Sequence, residues 1–366
     1  MAQLPKYEQV MSVIERRVRE GDYLLNNIPG ERKIAEETGV SYMTARRAVT
    51  GLLDKRILIR RPNGTLDVHP KFDRESMPTK IALLYPSYPS PYLAQLRRLV
   101  SDATESHDLA FRPVQYVHWD DPIVLDAVRN PGGALLIPAA EKLPSWILAA
   151  LRSRKVAVLD GDVSAEGVPS IQLFSDGHIR RGFEHLHRLG HRVIDCINTQ
   201  HDNPEIDRRI RLWRDWVEDN DCSGALWNDP AASFSDPTPH AHQLAADLID
   251  HQRSDATAFV CTTFPAAFGV IRAFWERGLR VGSDVSVCSV NIEPRARYCC
   301  PSITGLDTPD LSGVLDRCLD WFSQDRPWRG NALLTPKKRV FFAGESTGPG
   351  PAHDGAPGAN PRTTPS

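Results

Sequence analysis

At 366 residues the chain has room for two or three domains of roughly 100–200 residues each. It is 41% hydrophobic and 25% charged, a composition that excludes disorder over most of its length. No apolar run approaches the ~18 residues of a membrane span, and the start MAQLPKYEQV lacks the charged-then-apolar pattern of a signal peptide, so a cytoplasmic protein without a membrane partner is expected. The seven cysteines (Cys196, Cys222, Cys261, Cys288, Cys299, Cys300, Cys318) are odd in number and show no C-x-x-C spacing, which points to neither a disulfide framework nor a metal site. The formal net charge of -2 is an average of unlike parts. Residues 1–75 hold 14 Lys/Arg against 11 Asp/Glu, a net of +3 that leaves -5 for the remainder.

In chain order, Tyr7, Val10, Met11, Ile14 and Val18 recur at helical spacing and predict one amphipathic helix ending near Gly21. A second, short helix is predicted from near Pro29, with Ile34 and Ala35 facing inward and Gly39 as its stop. Ser41 is a suitable N-cap for a third helix whose apolar face is Ala45, Ala48, Val49, Leu52 and Leu53. The other face carries Tyr42, Met43, Thr44, Arg46 and Arg47. Two short helices joined by a glycine turn, the second presenting polar and basic groups from its first turns, form a helix-turn-helix arrangement. In ILIRRPNGTLDV the residues alternate around Asn63-Gly64, which predicts a hairpin wing. From Ser41 to Arg61 six basic residues face one acidic residue, a patch of the kind that steers toward phosphate.

This segment resembles the GntR-type winged helix through residues 28–35, 39–48 and 63–65. The resemblance implies that Arg32, Ser41, Tyr42, Thr44 and Arg46 contact double-stranded operator DNA and that Gly64 brings the wing tip toward the minor groove; Arg47 joins them from local charge. Lys55-Arg56 stands where the family usually has Glu-Gly, so a different exit from the third helix is expected. The domain is placed at 1–70, with a polar, proline-containing linker at 71–79.

From residue 80 the pattern changes to short apolar runs alternating with helical stretches. IALLY (81–85), GALLIP, VAVLD (156–160), 193–197, AFVC (258–261) and VSVCSV (285–290) read as strands, with helices through Leu93–Val100, Arg181–Leu189, Arg209–Val217 and Val270–Trp275. This is βαβ alternation and predicts parallel sheets. Two such lobes fit the length and would place a cleft at the carboxyl ends of the strands. The segments KIALLYPSYPSPYLAQL, VAVLDGD, FEHLHRLGHRVIDCI, GLRVGSDVSVCSVN, PSITGLDTP and GEST resemble the LacI/GalR-type effector domain, itself similar to periplasmic sugar-binding proteins, over 80–347. The resemblance implies ligand contacts at Ser87, Tyr88, Tyr92, Asp160 and Arg209. Thr263-Phe264 replaces the family's Asn-Asp pair and Asn291 replaces an Asp, so a sugar, a partly apolar ligand or no ligand at all stays open at these positions. Trp213 reads as core. Five Gly and five Pro in the last 23 residues predict a disordered tail over 348–366.

His185, His187 and His191 do not share one helical face, and His191 is expected to cap the helix before it. No phosphate-loop, zinc-protease or serine-hydrolase motif occurs in its required context, and Asp160 with Asp162 does not make a catalytic pair unless the strand continues past Gly161. The expected fold is therefore α/β: an N-terminal winged helix-turn-helix domain and a two-lobed, periplasmic-binding-protein-like domain with parallel sheets. The expected protein is a dimeric, ligand-responsive transcriptional repressor of a carbohydrate-related operon, not an enzyme and without cofactor. The alternative is a cytosolic sugar-binding or carbohydrate-processing protein whose N-terminal helices mediate assembly only.

Overall fold

The computed structural model describes residues 5–20, 28–69, 72, 80–88, 90–130, 132–139, 143–232, 235–324, 326–337 and 340–351. The linker expected at 71–79 lies, apart from Phe72, outside them. The chain divides into two compact units, one of residues 1–81 with 104–111 and one of 82–103 with 112–366.

The head packs α1 (Lys6–Glu20), α2 (Glu31–Thr38) and α3 (Tyr42–Asp54) against a two-stranded wing, β1 (Leu58–Arg60) and β2 (Leu66–Val68). The apolar face read from the sequence is the core: Val10, Ile14, Val18, Ile34, Ala45 and Leu52 are all buried. Gly39 ends α2 at φ 65°, with its N–H and that of Val40 closing onto Glu36 and Ala35 carbonyls. Ser41 caps α3 by accepting from the Thr44 N–H at 3.2 Å. The wing strands pair antiparallel, Ile59 opposite Asp67. Their turn is longer than the two residues Asn63-Gly64: Gly64 N donates to Arg61 O and Arg61 N to Thr65 O, with Gly64 at φ 84°. That is a type I turn followed by a left-handed residue, the second common hairpin solution.

The exit of α3 keeps the geometry expected to be lost. Arg56 N donates to Leu53 O and Ile57 N to Leu52 O, each at 3.0 Å. Arg56 itself sits at φ 56°, and Leu52 and Ile57 meet in the core. This is the helix-ending motif that normally places glycine at the left-handed position. Here arginine adopts it, so the wing leaves α3 at the angle a glycine would give.

The body contains two six-stranded sheets. The first lobe is built from β3 (Lys80–Pro86), α4 (Pro91–Ser106), β4 (Ala110–Tyr116), α5 (Pro122–Val128), β5 (Ala134–Leu136), α6 (Ser145–Arg152), β6 (Val156–Leu159) and β7 (Ser170–Ile171). The second contains α7 (Asp176–Arg188), β8 (Ile194–Asn198), α8 (Pro204–Asp219), β9 (Leu226–Asn228), α9 (Pro237–Asp250), β10 (Ala258–Cys261), α10 (Phe264–Glu276), β11 (Ser286–Asn291) and β12 (Thr304–Leu306). The chain then returns to the first lobe for α11 (Ser312–Ser323) and β13 (Leu333–Leu334), and crosses again for β14 (Phe341–Phe342). The sheet orders are β13-β7-β6-β5-β3-β4 and β14-β12-β11-β10-β8-β9. The β3-β5, β5-β6, β6-β7 and β7-β13 pairs are parallel in the first sheet, and among the described residues the second is parallel apart from the β12-β14 pair. Strands buried on both faces explain the continuous apolar runs, such as the fully buried β3.

The first residues of the tail expected to be disordered, 348–351, are instead bonded into the second lobe. Gly348 N donates to Ser286 Oγ at 3.0 Å and Gly350 N to Leu189 O at 2.7 Å. A Cβ on Gly348 would lie 1.9 Å from Gly282 O, so its glycine permits close backbone packing rather than flexibility. Residues 352–366 lie outside the described residues. His191 is part of the same seam. Its backbone N–H closes α7 onto Leu186 O, but its buried ring bonds Thr257 Oγ1 at 2.8 Å, Ser286 Oγ at 2.9 Å and Gly348 O at 3.1 Å instead of capping carbonyls.

Candidate functional site

On the head, α3 presents its N-terminal turns outward. Ser41, Tyr42, Arg46 and Arg47 are exposed and Thr44 half-buried, while Arg32 is exposed on α2 and Gly64 at the wing tip. The basic patch is divided by its own contacts. Arg60 bonds Glu31 at 2.5 Å and Gly64 O at 3.1 Å, Arg61 pairs with Asp67, and the Arg47 guanidinium lies 4.0 Å over the Tyr7 ring. Among the described residues Arg32, Arg46, Lys55 and Arg56 carry no ion pair; the acidic neighbours are taken by others, Glu31 by Arg60 and Glu37 by Arg17. The uncommitted cations and the exposed first turn of α3 can meet phosphate and base edges together. Met43, 66% exposed, is an apolar group on the same surface.

Within the body a cavity of about 540 Å³ is lined from both lobes, a volume in the range of roughly 300–1,000 Å³ typical of small-molecule sites. Its polar centre is Asp160, which ends β6 at φ 62°, a left-handed backbone that Asp tolerates better than most residues. Tyr92, in the first turn of α4, donates its hydroxyl to Asp160 Oδ2 at 2.8 Å. Burial, helped by the nearby Glu205 and opposed by Arg209, pushes the Asp160 carboxyl up to about 6. Burial pushes the Tyr88 phenol up to about 12, with Asp160 adding to it. The Tyr88 ring meets His201 of the second lobe edge-on at 5.7 Å.

From the second lobe, Arg209 on α8 is 5% exposed. Its Nη1 donates to Thr262 O at 2.6 Å and Asn291 Oδ1 at 2.7 Å, and its Nε reaches Glu205 at 3.3 Å. Arg208 holds the same Glu205 through two nitrogens at 3.0 and 2.7 Å, and Phe174 O at 2.7 Å. Asn291 at the end of β11 thus orients Arg209. Thr263 lines the cavity just before α10, and its buried Oγ1 has no hydrogen-bond partner.

Tyr88, Tyr92, Asp160, Arg209, Thr263 and Asn291 therefore converge on one cavity. Two expected residues do not. Phe264 is fully buried in the second-lobe core under the Arg295 guanidinium, because position N1 of α10 points inward; Pro265 lines the cavity in its place. Ser87 is fixed by its N–H to Tyr116 O, and Ser90 is the lining serine. Trp213 is core, its indole N–H on Ile194 O. Glu205 and Glu293 went unread in the sequence. Asn203-Pro204 carries a helix-start signal, N-cap then proline at N1, that would have placed Glu205 in the first turn of α8 beside Arg209. Glu293, 3% exposed, follows β11 with its carboxyl pushed up by burial and opposed by Arg295; nothing local in sequence marks it.

Residues 6–68 match the family profile described as bacterial regulatory proteins, gntR family, and 183–310 that of a periplasmic binding protein-like domain. No curated protein matches the chain. Among solved structures, the lac repressor dimer bound to operator and the anti-inducer ONPF is similar at a TM-score of 0.61 and 20% identity, over 75% of this chain and 95% of that one. The regulator CcpA of Lactococcus lactis gives 0.58 and 18%, over 74% and 99%. A LacI family regulator from Enterococcus faecium with bound ribose gives 0.59 and 20%, over 74% and 99%. At these identities the likeness is one of fold, and the periplasmic-binding-protein-like profile marks the second lobe. The chain carries a gntR-family regulatory DNA-binding domain at its N terminus, joined to a periplasmic-binding-protein-like body with the fold of the LacI repressors.

Proposed function

We propose that the protein is a ligand-responsive transcriptional regulator, acting as a repressor on operator DNA as a homodimer, with an effector bound between the two lobes of the body. The observation that carries this reading is one chain holding a winged helix with a free basic recognition face and a two-walled cavity centred on Asp160 and Arg209. Arg32, Ser41, Tyr42, Thr44, Arg46, Arg47 and Gly64 are assigned to DNA, and Tyr88, Tyr92, Asp160, Arg209, Thr263 and Asn291 to the effector. The solved regulators of this fold bind an anti-inducer or ribose, which supports a carbohydrate-type effector here. A dimer follows from recognition: one small head reads few bases, and two-fold symmetry on a palindrome doubles the contacts. Effector binding would favour one lobe arrangement, and through the segment at 71–79 one spacing of the heads.

No helix among the described residues is long and apolar enough to cross a membrane, in keeping with a cytoplasmic regulator, and the reading is of a binder rather than an enzyme. Gel shift with DNA upstream of the protein's own gene tests it. With about 6 phosphates neutralised per dimer, log K should fall against log[salt] with a slope near -5. Binding that does not change with salt, or none at all, refutes it.

A further inference from the structure

The large apolar side chains of the head gather in its core, but Met43, in the first turn of α3, is 66% exposed. At roughly 3.6 residues per turn it lies about 180° around α3 from the centre of the buried face formed by Ala45, Ala48, Val49 and Leu52. It therefore stands in the middle of the outward face, with Arg46, Arg47 and Thr50 within about 60° of it. These residues border one shallow groove between α1 and α3, together with Lys6 and Tyr7.

The polar groups around Met43 are largely engaged with the protein itself. Ser41 Oγ and Thr44 Oγ1 share a hydrogen bond at 2.8 Å, and Thr50 Oγ1 donates to Arg46 O at 3.0 Å. The Arg47 guanidinium lies over the Tyr7 ring. Arg46 is exposed and in no ion pair among the described residues. The centre of the outward face thus offers one apolar group and one uncommitted guanidinium. The major groove of B-DNA presents a single apolar group among its donors and acceptors, the thymine C5-methyl. The cations that ring Met43, from Lys6 and Arg46 to Lys55 and Arg56, match the phosphates bordering that groove.

Resting on the DNA-binding reading above, we propose that Met43 is a base-specifying residue: its side chain packs on the C5-methyl of a thymine in each half-site, beside the base pair read by Arg46. Met43 and Arg46 are offset by about 4.5 Å along α3, close to the roughly 3.4 Å between stacked base pairs, so the two side chains address neighbouring positions. Cytosine in place of that thymine leaves Met43 without an apolar partner. The half-site is then told apart by a methyl group as well as by hydrogen bonds.

A uracil scan with the full-length protein tests this. Footprinting on the upstream DNA locates the bound segment, and each of its thymines is replaced in turn by deoxyuridine, which keeps the base pairing and removes only the methyl. One such replacement in a half-site should weaken binding by about fourfold, the value of one buried methyl group, and replacement in both half-sites by about tenfold or more. Met43→Ala, at an exposed position that the fold does not need, should lose about fourfold or more on the thymine duplex and bind the thymine and uracil duplexes alike. Its salt slope should stay that of the wild type, because no phosphate contact is removed. Arg46→Ala should weaken binding to both duplexes and still distinguish them. Wild-type binding indifferent to every uracil, or a Met43→Ala protein that distinguishes thymine from uracil as strongly as the wild type, overturns the proposal. So does full operator binding by Met43→Ala with a changed oligomeric state in sedimentation, which would make this face a contact between proteins. Absence of any complex between the wild type and the upstream DNA refutes the DNA-binding reading itself, whereas a salt-dependent complex without the methyl effect refutes the role of Met43 alone.

Discussion

Arg56 offers a direct measurement of what the α3 exit costs. A non-glycine residue in the left-handed region is disfavoured by about 1–2 kcal/mol, and Arg56 is held there, at φ 56°, by the bonds of its own N–H and the next. Glycine relieves that strain but brings a more flexible unfolded chain, worth about 0.5–1 kcal/mol against alanine. Arg56→Gly should therefore stabilise the head by about 0.5–1 kcal/mol, a rise of about 4 °C for a domain of this size. Arg56→Ala, which keeps the strained backbone, should not. All eight tryptophans lie in the body, from Trp119 to Trp328, so their fluorescence follows the body while far-UV circular dichroism also follows the head. The gain should appear in the head transition and be missing from the fluorescence transition. If Arg56→Ala is as stable as Arg56→Gly, the backbone there is not strained and the reasoning fails. Loss of salt slope by about 1 in Arg56→Gly would show that the arginine's charge meets a phosphate.

Four further outcomes are expected. Arg46→Ala should cost ~1–3 kcal/mol of operator affinity if the side chain reads a base. Arg47→Ala should lower head stability by about 0.5–1 kcal/mol through its Tyr7 contact, and equal operator losses for the two would show that Arg47 leaves Tyr7 on binding DNA. Between the ordinary value of 3.8 and about 6 for Asp160, the folded state binds more protons than the unfolded one, so stability should fall as pH rises through that window. Asp160→Asn should flatten this part of the profile in urea unfolding followed by tryptophan fluorescence, and an unchanged profile would assign the titration elsewhere. Ending the chain after Thr347 should destabilise the body by about 1–3 kcal/mol relative to ending it after Pro351, because the bonds of Gly348 and Gly350 to Ser286 and Leu189 are lost; equal unfolding midpoints would make that seam inconsequential.

The head was legible because its signals are local: caps at Ser41 and Gly39, a helical stripe from Val10 to Val18, and a turn at Asn63-Gly64. Much of the body escaped for physical reasons. The buried face of α9 is made of Ala241, Ala245 and Ala246 with only one large residue, Leu248, which gives a weak apolar period. The two-residue strands β7, β13 and β14 are too short to show a period at all, and the return of Leu333–Leu334 to β7 is a pairing across about 160 residues of sequence. Phe264 was misplaced by one position: at a helix start, neighbouring residues point about 100° apart, so Pro265 reaches the cavity and Phe264 the core. Glycine and proline content predicts disorder from 348 onward, yet Gly348 packs where Gly282 O leaves no room for a Cβ.

The route of the chain through the body sets how it can move. The chain passes between the lobes after β7, after β12 and between β13 and β14, and the first two passages start from carboxyl ends of parallel strands. Three covalent pins block sliding and separation, and they leave rotation about the line joining them as the soft coordinate. Work done on that rotation by a small molecule requires grip on both jaws. If an effector works this rotation as proposed, a compound that holds Leu148 alone, or Thr263 alone, should occupy the cavity without turning the hinge and compete as a silent ligand.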